Sequence, residues 1–180
     1  MHLADLFSNP TKNVLQMGLT EGMKVGDLGA GSGHYALAAA HLVGPSGRVY
    51  ALDVQEDILK HIRDAAKEKK LQNIETIWGD FQYPGGTRLT DHILDAVILS
   101  NTLFQVEEKQ TAVAEMRRIL KPGGKVLVCD WAGSYSGMGP HPEHIVSEHD
   151  AEELFITAGF HKTKTWRGGP HHYAILFMSP

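Results

Sequence analysis

Five short runs rich in Val, Ile and Leu recur along the chain: "KVGDLGA", "RVYALDV", "NIETIWGD", "LDAVILSN" and "KVLVCDW". Their length and β-branched content predict strands. The stretches between them carry helical periodicity. "QEDILKHIRDAAKEKK" places Ile58, Leu59, Ile62, Ala65 and Ala66 on one stripe with charges opposite, and "EEKQTAVAEMRRIL" does the same with Val113, Met116, Ile119 and Leu120. The second helix is expected to close at "KPGGK", where Pro122 cannot continue it and Gly123 or Gly124 can take a left-handed position. Strand and helix in alternation imply parallel strands joined by right-handed crossovers, hence a doubly wound, mostly parallel α/β sheet with helices on both faces. The ending breaks the pattern. After a helix around "HDAEELFITAG", the runs "FHKTKTWR" and "HHYAILFMS" are separated by "GGP" alone, too little chain for a crossover. They predict an antiparallel hairpin at the sheet edge, making about seven strands in all.

Composition narrows this picture. A length of 180 residues suits one domain, 1–180, with a sizeable core. A net charge of −4 gives no electrostatic footprint for nucleic acid or anionic lipid. The single cysteine, Cys129, excludes an intrachain disulfide and a cysteine-rich metal site. The start "MHLADLFSNP" lacks a basic segment followed by an apolar one, and no run is long enough to span a bilayer, so a cytoplasmic protein without a transmembrane segment is expected.

The stretch "VGDLGAGSGHY" sets glycines at 29, 31 and 33 after Asp27, at the carboxyl end of the first strand, where ligands bind in such sheets. A dinucleotide fingerprint beginning at Gly29 would need glycine where His34 stands, and one beginning at Gly31 would need it where Ala36 stands. The motif D-x-G-x-G-x-G, followed by Asp53 closing the second strand in "ALDV", instead resembles the class I S-adenosyl-L-methionine (SAM)-dependent methyltransferase family. The resemblance continues through "GDF", "LDAVILSN" and "EMRRILKPGGKVLV", from about Met23 to Val128. Its nearest branch is the small-molecule one that includes quinone-biosynthesis methyltransferases.

That resemblance implies SAM as cofactor and S-adenosyl-L-homocysteine (SAH) as product. Asp53 would accept hydrogen bonds from both ribose hydroxyls, Asp80 from the adenine amino group, and Val54 and Phe81 would pack on the base. Asp27 would hold the amino-acid end, with the backbone near Ser100 beside it, and Gly29, Gly31 and Gly33 would let the chain approach closely. SAM carries no phosphate, so carboxylates are acceptable neighbours. Each residue also has a plainer role: Asp53 as a helix cap, Asp80 as turn chemistry, the glycines as a tight turn. Asp95, at the start of its strand, is read as structural.

Methyl transfer is an in-line displacement on an activated carbon, so positioning can carry much of the rate and no triad has to appear. For an O or N acceptor, Asp130 and His141 are candidate proton acceptors, against loop capping and a solvated loop position. Trp131, Tyr135 and Met138 follow the fifth strand and suit a flat apolar acceptor. The pocket is expected to draw on the N-terminal segment and on two mobile loops, "FQYPGGTRLTDH" and "AGSYSGMGPHPEH". The eleven histidines show no convincing ligand spacing, so no metal is expected. "SNTL" replaces the N-P-P-Y signature of DNA amino-methyltransferases, and one cysteine does not fit arsenic methylation. The leading expectation is a methyltransferase acting on a small or amphipathic molecule at O, N or C. An RNA- or protein-modifying methyltransferase and a non-catalytic SAM/SAH-binding module are the alternatives.

Overall fold

The computed structural model describes residues 8–135 and 139–180. A short helix α1 (Pro10–Leu15) precedes β1 (Lys24–Leu28), α2 (His34–Val43), β2 (Arg48–Asp53), α3 (Glu56–Glu68) and β3 (Ile74–Trp78). Then come β4 (Leu94–Ser100), α4 (Lys109–Ile119), β5 (Leu120–Trp131), α5 (Glu148–Thr157), β6 (His161–Gly169) and β7 (His172–Met178). The seven strands form one sheet in the order β3-β2-β1-β4-β5-β7-β6. β3, β2, β1, β4 and β5 are mutually parallel, and β7 runs antiparallel to both β5 and β6. The mostly parallel sheet and its terminal hairpin match the sequence expectation.

Side-chain alternation divides the interior into two cores. Val25, Val49, Ala51, Ala96, Ile98 and Leu127 face α1, α2 and α3, where Val14, Ala36, Ala39, Ala40 and Ile62 meet them. Leu28, Leu52, Val97, Leu99, Val126 and Val128 face α4 and α5, packing on Val113, Met116, Ile119, Ala151 and Phe155. β4 is covered on both faces, which is why it reads as an almost continuous apolar run.

The hairpin at the end of the sheet has a definite order. β7 lies inside the hairpin, buried along Tyr173–Phe177, while β6 forms the edge. The continuous apolar stretch "YAILF" can sit only in an interior position, whereas β6 carries Lys162, Lys164 and Arg167, charges that suit an edge strand. α4 ends earlier than "KPGGK" suggests. Leu120 is already extended and pairs with Leu94, because a proline at 122 disfavours helix at Lys121. Gly123 is left-handed (φ +73°), but it turns a bulge in β5, pinned by Ser179 N–H donating to the Gly124 carbonyl at 2.7 Å.

The segment from Phe81 to His92, expected to be a mobile loop, is tied to α4. Glu115, buried, accepts hydrogen bonds from Gly85 N–H (3.0 Å), Thr87 Oγ1 (2.6 Å) and two nitrogens of Arg118 (2.7 and 2.8 Å). Arg118 also pairs with Asp91 at 2.6 Å, and Gln82 Oε1 accepts from Glu107 N–H at 2.7 Å. Burial by itself raises the Glu115 carboxyl, but Arg118, Thr87 and the backbone donors outweigh it and hold the group down at about 2. Its folded value lies below its ordinary one, so Glu115 contributes stability above the ordinary carboxylate range that is lost as pH falls toward 2. Glu115→Gln should lower the unfolding free energy by roughly 2–3 kcal/mol near neutral pH, less than a fully buried pair because Arg118 is partly exposed. Urea denaturation reads this directly, and an unchanged midpoint would contradict the role given to Glu115.

Candidate functional site

One cavity of ≈ 970 Å³ opens at the carboxyl ends of β1, β2, β3 and β4. Asp27, Gly29, Gly31, Asp53, Val54, Asp80, Phe81 and Ser100 all line it. The cavity also reaches Ser8–Thr11, Tyr35, Thr102, Gln105 and Val106.

The three glycines do different work. All have positive φ (+69°, +49° and +75° for 29, 31 and 33), a conformation that costs a residue with a Cβ. A Cβ on Gly29 would strike the Thr102 side chain at 2.6 Å, and one on Gly33 would strike Ile62 at 2.7 Å. A Cβ on Gly31 would meet only the Gly29 carbonyl at 3.9 Å. Gly29 and Gly33 thus let the turn pack against β4 and α3, while Gly31 leaves open space over the backbone. Gly33, the N-cap of α2, does not line the cavity.

Asp53 sits at the end of β2, with Oδ2 accepting from Gly31 N–H at 3.1 Å and Oδ1 from Gln55 N–H at 3.0 Å. It clamps the glycine turn and the bend into α3, but the N-cap of that helix is Gln55, without a side-chain capping bond, so Asp53 is a turn clamp on the cavity wall rather than the helix cap. Asp80 Oδ1 accepts from Gln82 N–H at 3.0 Å, the turn chemistry open to it from sequence. Beside it Phe81 is buried and Val54 is exposed, leaving an apolar wall on the cavity rim.

At the other end, three buried polar atoms have no hydrogen-bond partner: Asp27 Oδ2, Ser100 Oγ and Asn101 Oδ1. Burial pushes the Asp27 carboxyl up to about 8, against an Ala36 N–H that lowers it and with the Asp53 charge raising it further. Asn101 adopts a left-handed backbone (φ +54°), a strained conformation that often marks a ligand site. Unsatisfied buried polar groups are rare. A ligand with a cationic, multiply donating end would answer all three, so the residues present fit the amino-acid end of SAM, and Asp53 with Gly31 fits a nucleoside.

The two candidate proton acceptors lie elsewhere. Asp130 is buried on the α4 side of β5, and its carboxylate takes the N–H groups of Leu103 (2.8 Å) and Trp131 (2.8 Å), with those of Thr102 and Phe104 also directed at it. Burial raises it to about 6, and these donors lower it. It organises the turn after β4 and is not among the described residues lining the cavity. His141 is exposed and lies near Glu143 (3.6 Å), also outside that lining. Backbone donors occupy Asp130 and solvent surrounds His141, and the structure brings neither of them into the lining of this cavity. Asp95 accepts from Lys24 N–H (2.7 Å) and pairs with Lys121 (2.6 Å), a structural role as expected.

Trp131 packs on His172 at 4.4 Å and Tyr135 on His171 at 3.9 Å, and neither Trp131 nor Tyr135 lines the cavity. Met138 and residues 1–7 lie outside the described residues. Among those residues no group of three His, Cys, Asp or Glu is arranged to hold a metal, and no helix is long and apolar enough to cross a membrane. Tyr35, Asn101 and Thr102 were missed from sequence. A polar pair following the apolar run of β4 was the available signal for Asn101 and Thr102.

The model of a methyltransferase domain matches residues 19–167. The chain is 34% identical over 119 residues to the ubiquinone/menaquinone biosynthesis C-methyltransferase UbiE of Cupriavidus taiwanensis, covering 66% of this chain and 47% of that protein. It is 34% identical over 112 residues to the demethylmenaquinone methyltransferase of Geobacillus sp. strain WCH70, covering 62% of this chain and 47% of that protein. The chain thus spans about half the length of these relatives. A SAM-dependent methyltransferase from Aquifex aeolicus superposes with a TM-score of 0.88 at 27% identity, over 98% of this chain and 92% of that one.

The Asp27 value has a consequence for stability. Its folded value lies above its unfolded one, so the folded protein holds this proton more tightly and stability from this group falls as pH rises from about 4 to about 8. Asp27→Asn should remove that slope. Urea unfolding at several pH values between about 5.5 and 8 should show the variant losing less stability than wild type. Equal slopes would contradict the protonated, buried carboxyl.

Proposed function

The chain belongs to the methyltransferase-domain family, and on that premise we propose that it is a SAM-dependent methyltransferase acting on a small or amphipathic molecule. The observation that carries this reading is that Asp53 and the unanswered Asp27 Oδ2 line the same cavity at the ends of neighbouring strands. The first suits vicinal hydroxyls and the second suits an ammonium.

Bound there, SAM supplies a methyl group on a sulfonium sulfur. The chain's part is to hold and exclude. Asp53 would accept from the ribose hydroxyls, Val54 and Phe81 would flank the base, and Asp80 would accept from its amino group. Asp27 would pair with the ammonium, its proton passing to solvent, with Ser100 beside it. Gly31 contributes bare backbone where the ligand must come close. The remaining wall, from Ser8 to Thr11 with Gln105 and Val106, faces the methyl acceptor. Holding the acceptor in line and dry is the main source of rate in this reading.

The relatives support a finer class. One is named a ubiquinone/menaquinone biosynthesis C-methyltransferase and another a demethylmenaquinone methyltransferase, and Pro10 and Val106 in the wall offer apolar surface for a quinone-like ring. The domain extends over 1–180 in this reading and is placed in the cytoplasm.

Calorimetry should show SAM and SAH binding in clear preference to NAD, and comparable affinity for NAD would overturn the proposal. Asp53→Ala should weaken SAH binding by roughly 3–6 kcal/mol, the usual size of two hydrogen bonds to a charged group. A folded variant with unchanged affinity would leave Asp53 as a turn clamp alone.

A further inference from the structure

A chain of hydrogen bonds leads from β6 to the acceptor side of the cavity, and donor chemistry fixes the direction of its first two links. Trp166 Nε1–H donates to Asn13 Oδ1 at 2.9 Å. An indole nitrogen can only donate, so the oxygen of the Asn13 carboxamide faces Trp166 and its NH2 faces away. That NH2 donates to the Gly168 carbonyl at 2.8 Å and to the Tyr35 hydroxyl at 2.9 Å. Tyr35, having accepted, has its own proton to give, and Ser8 Oγ stands at 3.0 Å, with the Ser100 hydroxyl and the Cys129 thiol also beside it. Asn13, Tyr35 and Ser8 are all buried.

Ser8 is then left with a proton to give. The Cys129 thiol adjoins both hydroxyls, but sulfur is a weak acceptor. The cavity is the other open direction, since Ser8 and Tyr35 both line it. Where Tyr35 donates to Ser8, the Ser8 proton is turned away from Tyr35 and toward the cavity.

We propose that Ser8 is an acceptor-binding residue that donates a hydrogen bond to an oxygen of the methyl acceptor, with Tyr35 and Asn13 as the positioning residues that aim it. The ligand class is an apolar ring bearing a carbonyl or ionised hydroxyl, the ring resting on Pro10 and Val106. The inference rests on the reading that the far half of the cavity holds the cofactor. It goes beyond that reading by naming which group of the acceptor is recognised.

The test uses the SAH-loaded protein and two simple probes, 1-tetralone, whose ketone can only accept, and tetralin, its hydrocarbon counterpart. Titration followed by NMR should show Ser8→Ala weakening tetralone binding by about 5- to 10-fold, the size of one hydrogen bond, with tetralin unchanged. Ser8→Thr, which keeps the donor, should restore the ketone affinity. Tyr35→Phe should give a smaller loss confined to the ketone, because Ser8 keeps its proton but loses the group that orients it. Equal ketone affinity in wild type and Ser8→Ala, including no detectable binding by either, overturns the proposal. So does an equal loss for both probes. SAH binding is measured first by calorimetry: its absence would count against the cofactor reading alone, and the same titrations on the free protein would still decide the role of Ser8.

Discussion

Between β1 and β4 the winding of the sheet reverses. The helices that follow β1 and β2 cover one face, and the helix that follows β4 covers the other. The chains leaving Leu28 and Ser100 therefore diverge, and neither helix fills the space between them. A crevice at this point is a geometric consequence of the strand order, and open α/β sheets bind ligands there. The rest of the site depends on it. The turn from Leu28 into α2 must pass close to the end of β4, which is why Thr102 touches the position a Cβ on Gly29 would occupy. Asp53, one strand over, reaches across to hold Gly31 N–H.

The crevice carries a polarity that protein groups leave unresolved. At its β1–β4 side lie buried oxygens without a partner, and the carboxyl among them is pushed toward its neutral form by burial. A phosphate-bearing ligand would add more acceptors. A ligand with an ammonium at one end and vicinal hydroxyls at the other reverses the deficit, and this complementarity underlies the proposed function. The acceptor wall has the opposite character. There the Trp166–Asn13–Tyr35–Ser8 chain is satisfied link by link and ends in a donor.

The sheet was legible because apolar runs bounded by Gly, Asp and Asn have few alternatives in a chain of this size, and Asp53 stood out because it closes one such run. The place of β7 inside the hairpin was also written in the chain, as the contrast between "YAILF" and the charged β6. Other features left weaker traces. α1 is six residues long, too short for a period, so the buried Asn13 on it gave no signal. Asp130 read as an acid after a strand, the same local pattern as Asp53, and only the fold reveals that it faces α4 and takes backbone donors. The tie between Glu115 and the segment from Phe81 to His92 is likewise a tertiary fact, invisible in a loop whose Gly and Pro content suggests freedom.

The central claim is that the buried Asp27 carboxyl, protonated in the free protein, is the anchor for the cationic end of the ligand. Calorimetry of SAH binding near pH 7 in two buffers of different ionisation heat measures the proton balance of that step. The account predicts release of about one proton per site as the ammonium replaces it, falling to about zero in Asp27→Asn. Binding without proton release, or with a release that the substitution leaves unchanged, would contradict it.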